Sequence, residues 1–337
     1  MRRRLAGGWA FVLLAGLAGA AGRLQLDWPT PNPAWLLGRS SADYLQATAS
    51  GDPASGGFGC VREDGKQFHE GIDLKPVTRD AAGEPADKIF AFMDGVVRYV
   101  NDRAADSNYG RYVVLEHPAA SPAVYSLYAH LQAVATGLKP GMPVVHGQII
   151  AVMGRSEGGD GIPKERAHLH FEIGLRVTDA FAPWYDAQKF GSANDHGLWN
   201  GLNLMGFDPL EFLGAFRAHR VDDFKDYFAQ LRPAVRLRIA TAAVPDFPRR
   251  YPSLLTTIPI TPVAGWEIAC NWTGLPFCWT PLAAADMAGY TRNEVRIVES
   301  DDALLASCPC KSIVIRRDGR AVPGKDLAVV LQQLFGL

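Results

Sequence analysis

The sequence predicts a mainly β protein, an antiparallel β-sheet domain followed by a smaller α+β C-terminal region. Three observations carry this. Between Phe58 and Ile173, short apolar runs recur at regular spacing, separated by Gly- and Pro-containing turns, the pattern of an antiparallel all-β domain. Within it, Ala167 to Ile173 alternates strictly: Leu169, Phe171 and Ile173 fall on one face, and His168, His170 and Glu172 on the other. Beyond residue 215, helical spacing returns together with a cluster of cysteines.

The chain has 337 residues, enough for two domains. With 48% hydrophobic and 20% charged residues it can build a core, and a net charge of -1 gives no polyelectrolyte attraction to nucleic acid or anionic lipid. Met1-Arg2-Arg3-Arg4 is a basic start, Leu5 to Ala21 is apolar, and Ala18-Gly19-Ala20 is a small-x-small cleavage site. This is the layout of a secretory signal peptide over residues 1–20. The alternative is an uncleaved membrane anchor, for which the run is short and Gly-rich. No Cys follows the cleavage site, which argues against a lipid anchor.

In an exported chain, Cys60, Cys270, Cys278, Cys308 and Cys310 are disulfide candidates, and five of them leave one over. The last four are expected to form disulfides rather than a second metal site, because Cys308-Pro309-Cys310 is too closely spaced for the common zinc-finger pattern.

Residues 21–57 read as a lead-in segment, with a turn at Thr30-Pro31-Asn32-Pro33 and a short helix expected over 40–49. Strands follow at 89–92 and 96–100, joined as a hairpin by Asp94-Gly95. Further strands are expected at 112–117, ended by Pro118, at 124–131 and at 147–152. A Gly-rich charged loop over 156–166 leads into the His168/His170 strand. Residues 176–204 read as irregular. Asp208 is an N-cap with Pro209 at the first helical position, and residues 221–231 form a second helix. Leu327, Val330, Leu331 and Leu334 lie at helical spacing in a terminal helix over 325–335.

The chemistry concentrates in two places. His168 and His170, at i and i+2 on one strand face, suit a shared metal ion. His69 and Asp73 lie four apart around Gly71, so a bent strand entrance must bring them together. Imidazole and carboxylate are normal zinc donors, and three protein ligands leave a fourth position open, as catalytic zinc requires. His117, His146, His196 and His219 read as structural, surface or turn residues, and Glu172 as either a partner of a histidine or a solvated carboxylate.

Phe68 to Leu74, the Asp94-Gly95 segment, Tyr109-Gly110 with Val113 to His117, Tyr128-Ala129-His130-Leu131, Gly141 to Ile150 and His168-Leu169-His170-Phe171-Glu172 occur in one order. That order resembles the lysostaphin-like (LytM domain) zinc metalloendopeptidases, over roughly residues 58–175. The resemblance implies a peptidase domain with an open groove over residues 58–214, and leaves 215–337 as a Cys-containing region without a role. It implies one Zn2+ ion bound by His69, Asp73 and His170, with His130 and His168 as catalytic neighbours. It implies hydrolysis of amide bonds in peptidoglycan stem or cross-link peptides, in the periplasm or outside the cell. The other reading is a non-catalytic module that binds the wall or activates a partner hydrolase. Expected partners are peptidoglycan peptides and a regulatory protein, no nucleic acid, and a membrane only if the N-terminal segment stays uncleaved. Departures from the family are Lys75 and the charged loop at Gly158 to Arg166, which bear on specificity.

Overall fold

The histidine strand is paired on both of its sides in the larger sheet. The computed structural model describes residues 22–159, 161–259 and 262–336, so the expected signal peptide lies outside the described residues. β1 (Gly59–Arg62) and β2 (Gln67–His69) form a small hairpin, and β3 (Ile72–Leu74) follows a turn at Glu70-Gly71. β4 (Lys88–Phe90), β5 (Gly95–Asn101), β6 (Tyr112–Glu116), β7 (Tyr125–Ala129), β8 (Leu131–Val134), β9 (Pro143–Val144), β10 (Ile149–Met153), β11 (Leu169–Arg176) and β12 (Leu204–Phe207) complete the first domain. The main sheet runs β12-β11-β7-β6-β5-β9, with β3 also paired to β11, and β4-β10-β8 form a second sheet. All these pairings are antiparallel. The mainly β expectation holds.

Four local expectations are corrected. Asp94-Gly95 does not close a hairpin: β4 pairs with β10, and β5 with β6 and β9, so this turn crosses between sheets. Buried Phe92 and Met93 fill that crossing. The strand expected over 124–131 breaks at His130, whose φ of 60° is left-handed. Residues 40–49 hold only a 3-10 turn at Ser41–Asp43, because Leu45 bridges Leu74 and Gln46 N–H donates to Asp73 O. Residues 176–204 contain a helix, α1 (Phe181–Gln188), whose buried Phe181 and Tyr185 escaped the sequence reading because Pro183 interrupts the spacing.

After β12 come α2 (Pro209–Arg217), capped by Asp208 as its sequence predicts, and then α3 (Phe224–Gln230) of the C-terminal region. Its sheet takes the order β15-β14-β13-β16, from β13 (Val235–Ile239), β14 (Gly265–Cys270), β15 (Pro276–Leu282) and β16 (Val295–Ser300). The last helix spans Lys325–Phe335, as predicted. One buried apolar cluster runs from Trp28 and Leu45 through Phe171 and Ile173 to Trp279 and Leu334, so lead-in, first domain and C-terminal region share a core.

The disulfide expectation is also corrected. Cys60 pairs with Cys310, which ties β1 to the C-terminal region, while Cys270, Cys278 and Cys308 are free. Cys270 lies on β14 with its side chain buried in the shared core, where burial pushes its thiol up to about 12.

His117 is structural, and it makes the fold acid-sensitive. It is fully buried; Nδ1–H donates to Asp94 O at 2.8 Å, and Nε2 lies 2.8 Å from Ser126 Oγ. Burial, opposed only partly by Asp94, pulls its pKa down to about 4. Between pH ~6.5 and the folded value, the unfolded chain therefore binds the extra proton. Stability is full above pH ~6.5 and is lost as pH falls from there to about 4, by about 3 kcal/mol in all. Urea unfolding from pH 7 to 4 checks this: His117→Gln should have a flatter pH dependence than the parent, and equal slopes would refute it.

Candidate metal centre

β-sheet register assembles the site. Asp73 on β3 lies directly opposite His170 on β11, so the two side chains share a face. His69 ends β2 just before the turn that feeds β3. Gly71 in that turn packs so closely on β11 that a Cβ there would lie 2.4 Å from Phe171 O, which no other residue tolerates. Ala129 pairs with His170 on its other side, and the left-handed residue that follows, His130, is turned to the same site.

Three donor atoms converge. His69 Nε2 and His170 Nδ1 are 3.0 Å apart, and each lies 3.1 Å from Asp73 Oδ1. Tetrahedral zinc with bonds of about 2.0 Å requires ligand atoms roughly 3.3 Å apart. The residues therefore fit one metal ion, and the donor types, two imidazoles and a carboxylate, suit zinc. All three are buried.

Hydrogen bonds fix each imidazole. His69 Nδ1–H donates to Gly57 O at 2.6 Å, leaving Nε2 to face the centre. His170 turns the other way: Nε2 meets Glu172 Oε1 at 3.0 Å, so Nδ1 faces inward. His130 Nδ1–H donates to Ser156 O at 2.8 Å, and His168 Nδ1–H to Arg166 O at 2.7 Å. Those bonds leave the Nε2 atoms of His130 and His168 for the cleft, which both residues line. Their rings lie 4.8 Å apart, and His168 Nε2 is 3.4 Å from Asp73 Oδ1.

The charges follow from these contacts. Burial would raise Asp73, but the neighbouring imidazoles of His168 and His69 and bonds from His170 and His69 hold it well below the usual carboxylate range. Burial works against charge on His170 too, yet its bonds to Asp73 and Glu172 raise it to about 10. A metal ion held at this triangle would take the place of a proton on Nδ1. Burial and the nearby His168 and His170 push His130 well below the usual range, and burial lowers His168.

All five residues singled out from sequence come together. The strand's polar face, however, is buried rather than solvated: His168, His170 and Glu172 are no more than 9% exposed. Glu172 is a partner of His170, and it also accepts from the Tyr109 and Tyr125 hydroxyls at 2.6 and 2.8 Å. Arg62, Tyr109 and Tyr125 were missed. Tyr125 lies in an apolar strand where a core role is the ordinary reading, and Arg62 carries no periodic signal.

The centre opens into a cleft of about 900 Å³. Ile162, Pro163 and Arg166 of the charged loop form one wall, anchored by Arg155 on Glu84, and Tyr185, His196 and Leu202 of the inserted segment form another. His196 is therefore not a plain surface residue: it bonds to the Tyr99 hydroxyl and Asp106 O. Trp184 lies outside this cleft, lining a second cavity against the terminal helix.

Comparison with known proteins supports a partial likeness. A search of curated proteins finds no match. Among solved structures, a candidate glycyl-glycine endopeptidase lytM from Ruminococcus gnavus is 27% identical, over 32% of this chain and 40% of that one, with a TM-score of 0.25. A zinc-containing peptidase from Vibrio cholerae is 22% identical over 46% of this chain and 34% of its own, with a TM-score of 0.24. The catalytic domain of lysostaphin from Staphylococcus simulans is 18% identical over 54% and 97%, with a TM-score of 0.31. The chain thus spans well under half the length of the first two. Residues 67–183, which hold His69, Asp73, His130, His168 and His170, match the model of peptidase family M23.

Proposed function

We propose that this chain is an exported zinc-dependent endopeptidase that hydrolyses amide bonds in peptidoglycan stem or cross-link peptides. The observation that carries this is the triangle of His69 Nε2, Asp73 Oδ1 and His170 Nδ1 beside two neutral imidazoles, His130 and His168. The match of residues 67–183 to peptidase family M23 supports peptide hydrolysis as the reaction. The basic and apolar N-terminus supports export, and a regulatory protein partner fits the same setting.

His69, Asp73 and His170 would hold a zinc ion, which would supply Lewis acidity toward a carbonyl and lower the pKa of water to roughly 7. The chain's own residues handle the proton. His130 and His168 both commit Nδ1–H to a backbone carbonyl, so each Nε2 is an acceptor while the ring is neutral. Each is therefore a base first, and becomes a donor only after taking a proton. Once protonated, it stabilises charge developing on a carbonyl oxygen or passes the proton to the leaving amine. Burial keeps both rings neutral at ordinary pH, and so keeps the base form populated.

The test is incubation with purified peptidoglycan, with zinc and with chelator, following new amines. Release should vanish with chelator and return with zinc. No release from any wall type, with zinc confirmed bound, would overturn the proposal.

A further inference from the structure

We propose that Arg62 is a positioning residue for the metal centre, holding Asp73 Oδ2 so that Oδ1 alone faces His69 and His170. The inference rests on the reading of this triangle as a zinc site. Arg62 Nη2 lies 2.5 Å from Asp73 Oδ2, while Oδ1 is 3.1 Å from both imidazole donors. The carboxylate is buried, so this charge-assisted bond acts where water competes little. A second bond, Arg62 Nε–H to Ser55 O at 3.2 Å, sets the plane of the guanidinium.

The fold delivers Arg62 deliberately. In a regular strand, residues 60 and 62 would share a face. The register shifts between Cys60 and Arg62, and this bulge lets Cys60 reach Cys310 while Arg62 reaches Asp73. The C-terminal region grips the same hairpin from outside. Trp272 packs edge-on against Phe58 and Phe68, with centroids 5.9 Å away in each case, and Lys311 Nζ sits 4.0 Å from the Phe68 ring centroid. The region without an evident role thus braces the strand that carries Arg62 and the strand that carries His69.

The chemical consequence concerns the second carboxylate oxygen. An unheld carboxylate offers a cation both oxygens, and the second takes up space that a water or a carbonyl needs. With Oδ2 engaged by Arg62, one oxygen remains to bind.

The experiment loads the full chain, Arg62→Ala and Arg62→Lys with Co2+, a visible reporter of zinc-site geometry. Metal content, visible absorption and steady-state kinetics on a cross-linked muropeptide are then measured. The parent and Arg62→Lys should show the intense bands of a four-coordinate ion. Arg62→Ala should still bind Co2+ but show the weaker bands of higher coordination, and kcat should fall by about 10–100-fold with KM little changed. If the alanine variant does not fold, Arg62→Met, which keeps an unbranched stem without charge or N–H donor, is read the same way. A parent-like spectrum and kcat in the uncharged variant would overturn the inference. A parent that binds Co2+ and shows the Arg62-dependent spectral change, but cleaves no wall, overturns the proposed activity and supports the role of Arg62. A parent that takes up no Co2+ overturns both.

Discussion

His170→Ala is expected to lose the metal and all hydrolysis with it, whereas His168→Ala is expected to lose hydrolysis and keep the metal. The two residues are neighbours on one strand face, and composition does not tell them apart. Their second nitrogens do. His170 Nε2 is held by Glu172, which aims Nδ1 at His69 Nε2 and Asp73 Oδ1. His168 Nδ1 is spent on Arg166 O, and its Nε2 lies just outside the triangle, 3.4 Å from Asp73 Oδ1. Zinc sites with four protein ligands bind with about 10–16 kcal/mol, so one ligand carries roughly 3 kcal/mol, on the order of a hundredfold in affinity. The loss in His170→Ala should be at least that large. A missing proton-transfer group costs about 10²–10⁴-fold in rate. Zinc content after dialysis, measured beside amine release, separates the two. Equal metal loss in both variants, or full metal in His170→Ala, would remove the assigned division of roles.

Much of this site was legible because it is encoded by short, local patterns. Strict alternation over residues 167–173 put His168 and His170 on one face, and Gly71 between His69 and Asp73 ruled out a helix and required a bend. Asp208-Pro209 and the spacing of Leu327, Val330, Leu331 and Leu334 marked helices that the structure contains. What escaped was non-local. The pairing of Cys60 with Cys310 spans 250 positions, and nothing in either sequence neighbourhood names the other. The break at His130 arises because His130 N–H and Leu131 N–H donate to Tyr109 O and Arg111 O instead of continuing the strand. The Asp94-Gly95 turn has good hairpin chemistry, but the sheets on its two sides are chosen by Phe92, Met93 and partners far along the chain. The polar face of β11 looked exposed because alternation reports two faces without saying what covers them. Here the lead-in, the charged loop and the inserted segment cover it; burial lowers His168, while the bonds to Asp73 and Glu172 raise His170 against that burial.

Glu172→Ala is expected to weaken both the fold and the metal site, and Glu172→Gln to separate the two effects. Glu172 is 1% exposed and accepts from three groups: the Tyr109 hydroxyl, the Tyr125 hydroxyl and His170 Nε2–H. Burial and the charge of Glu172 raise both phenols well above their ordinary range, so they stay protonated and donate. Removing the carboxylate leaves a buried Tyr125 hydroxyl and a histidine N–H without their acceptor. Breaking a buried, hydrogen-bonded charge cluster of this kind costs about 3–5 kcal/mol. Glutamine keeps the shape and one acceptor oxygen, so its stability loss should be about 1–2 kcal/mol. It cannot, however, lend negative charge to His170. The partner that orients a metal-binding imidazole also raises its basicity, and losing it reduces affinity by about 10–100-fold. Chemical unfolding of the metal-free protein measures the first effect, and competition with a chromophoric chelator measures the second. If Glu172→Gln binds zinc as tightly as the parent, Glu172 is only a packing residue. If its affinity falls while its unfolding midpoint barely moves, the carboxylate acts through His170, and the donor strength of the site is set two residues away from the ligand itself.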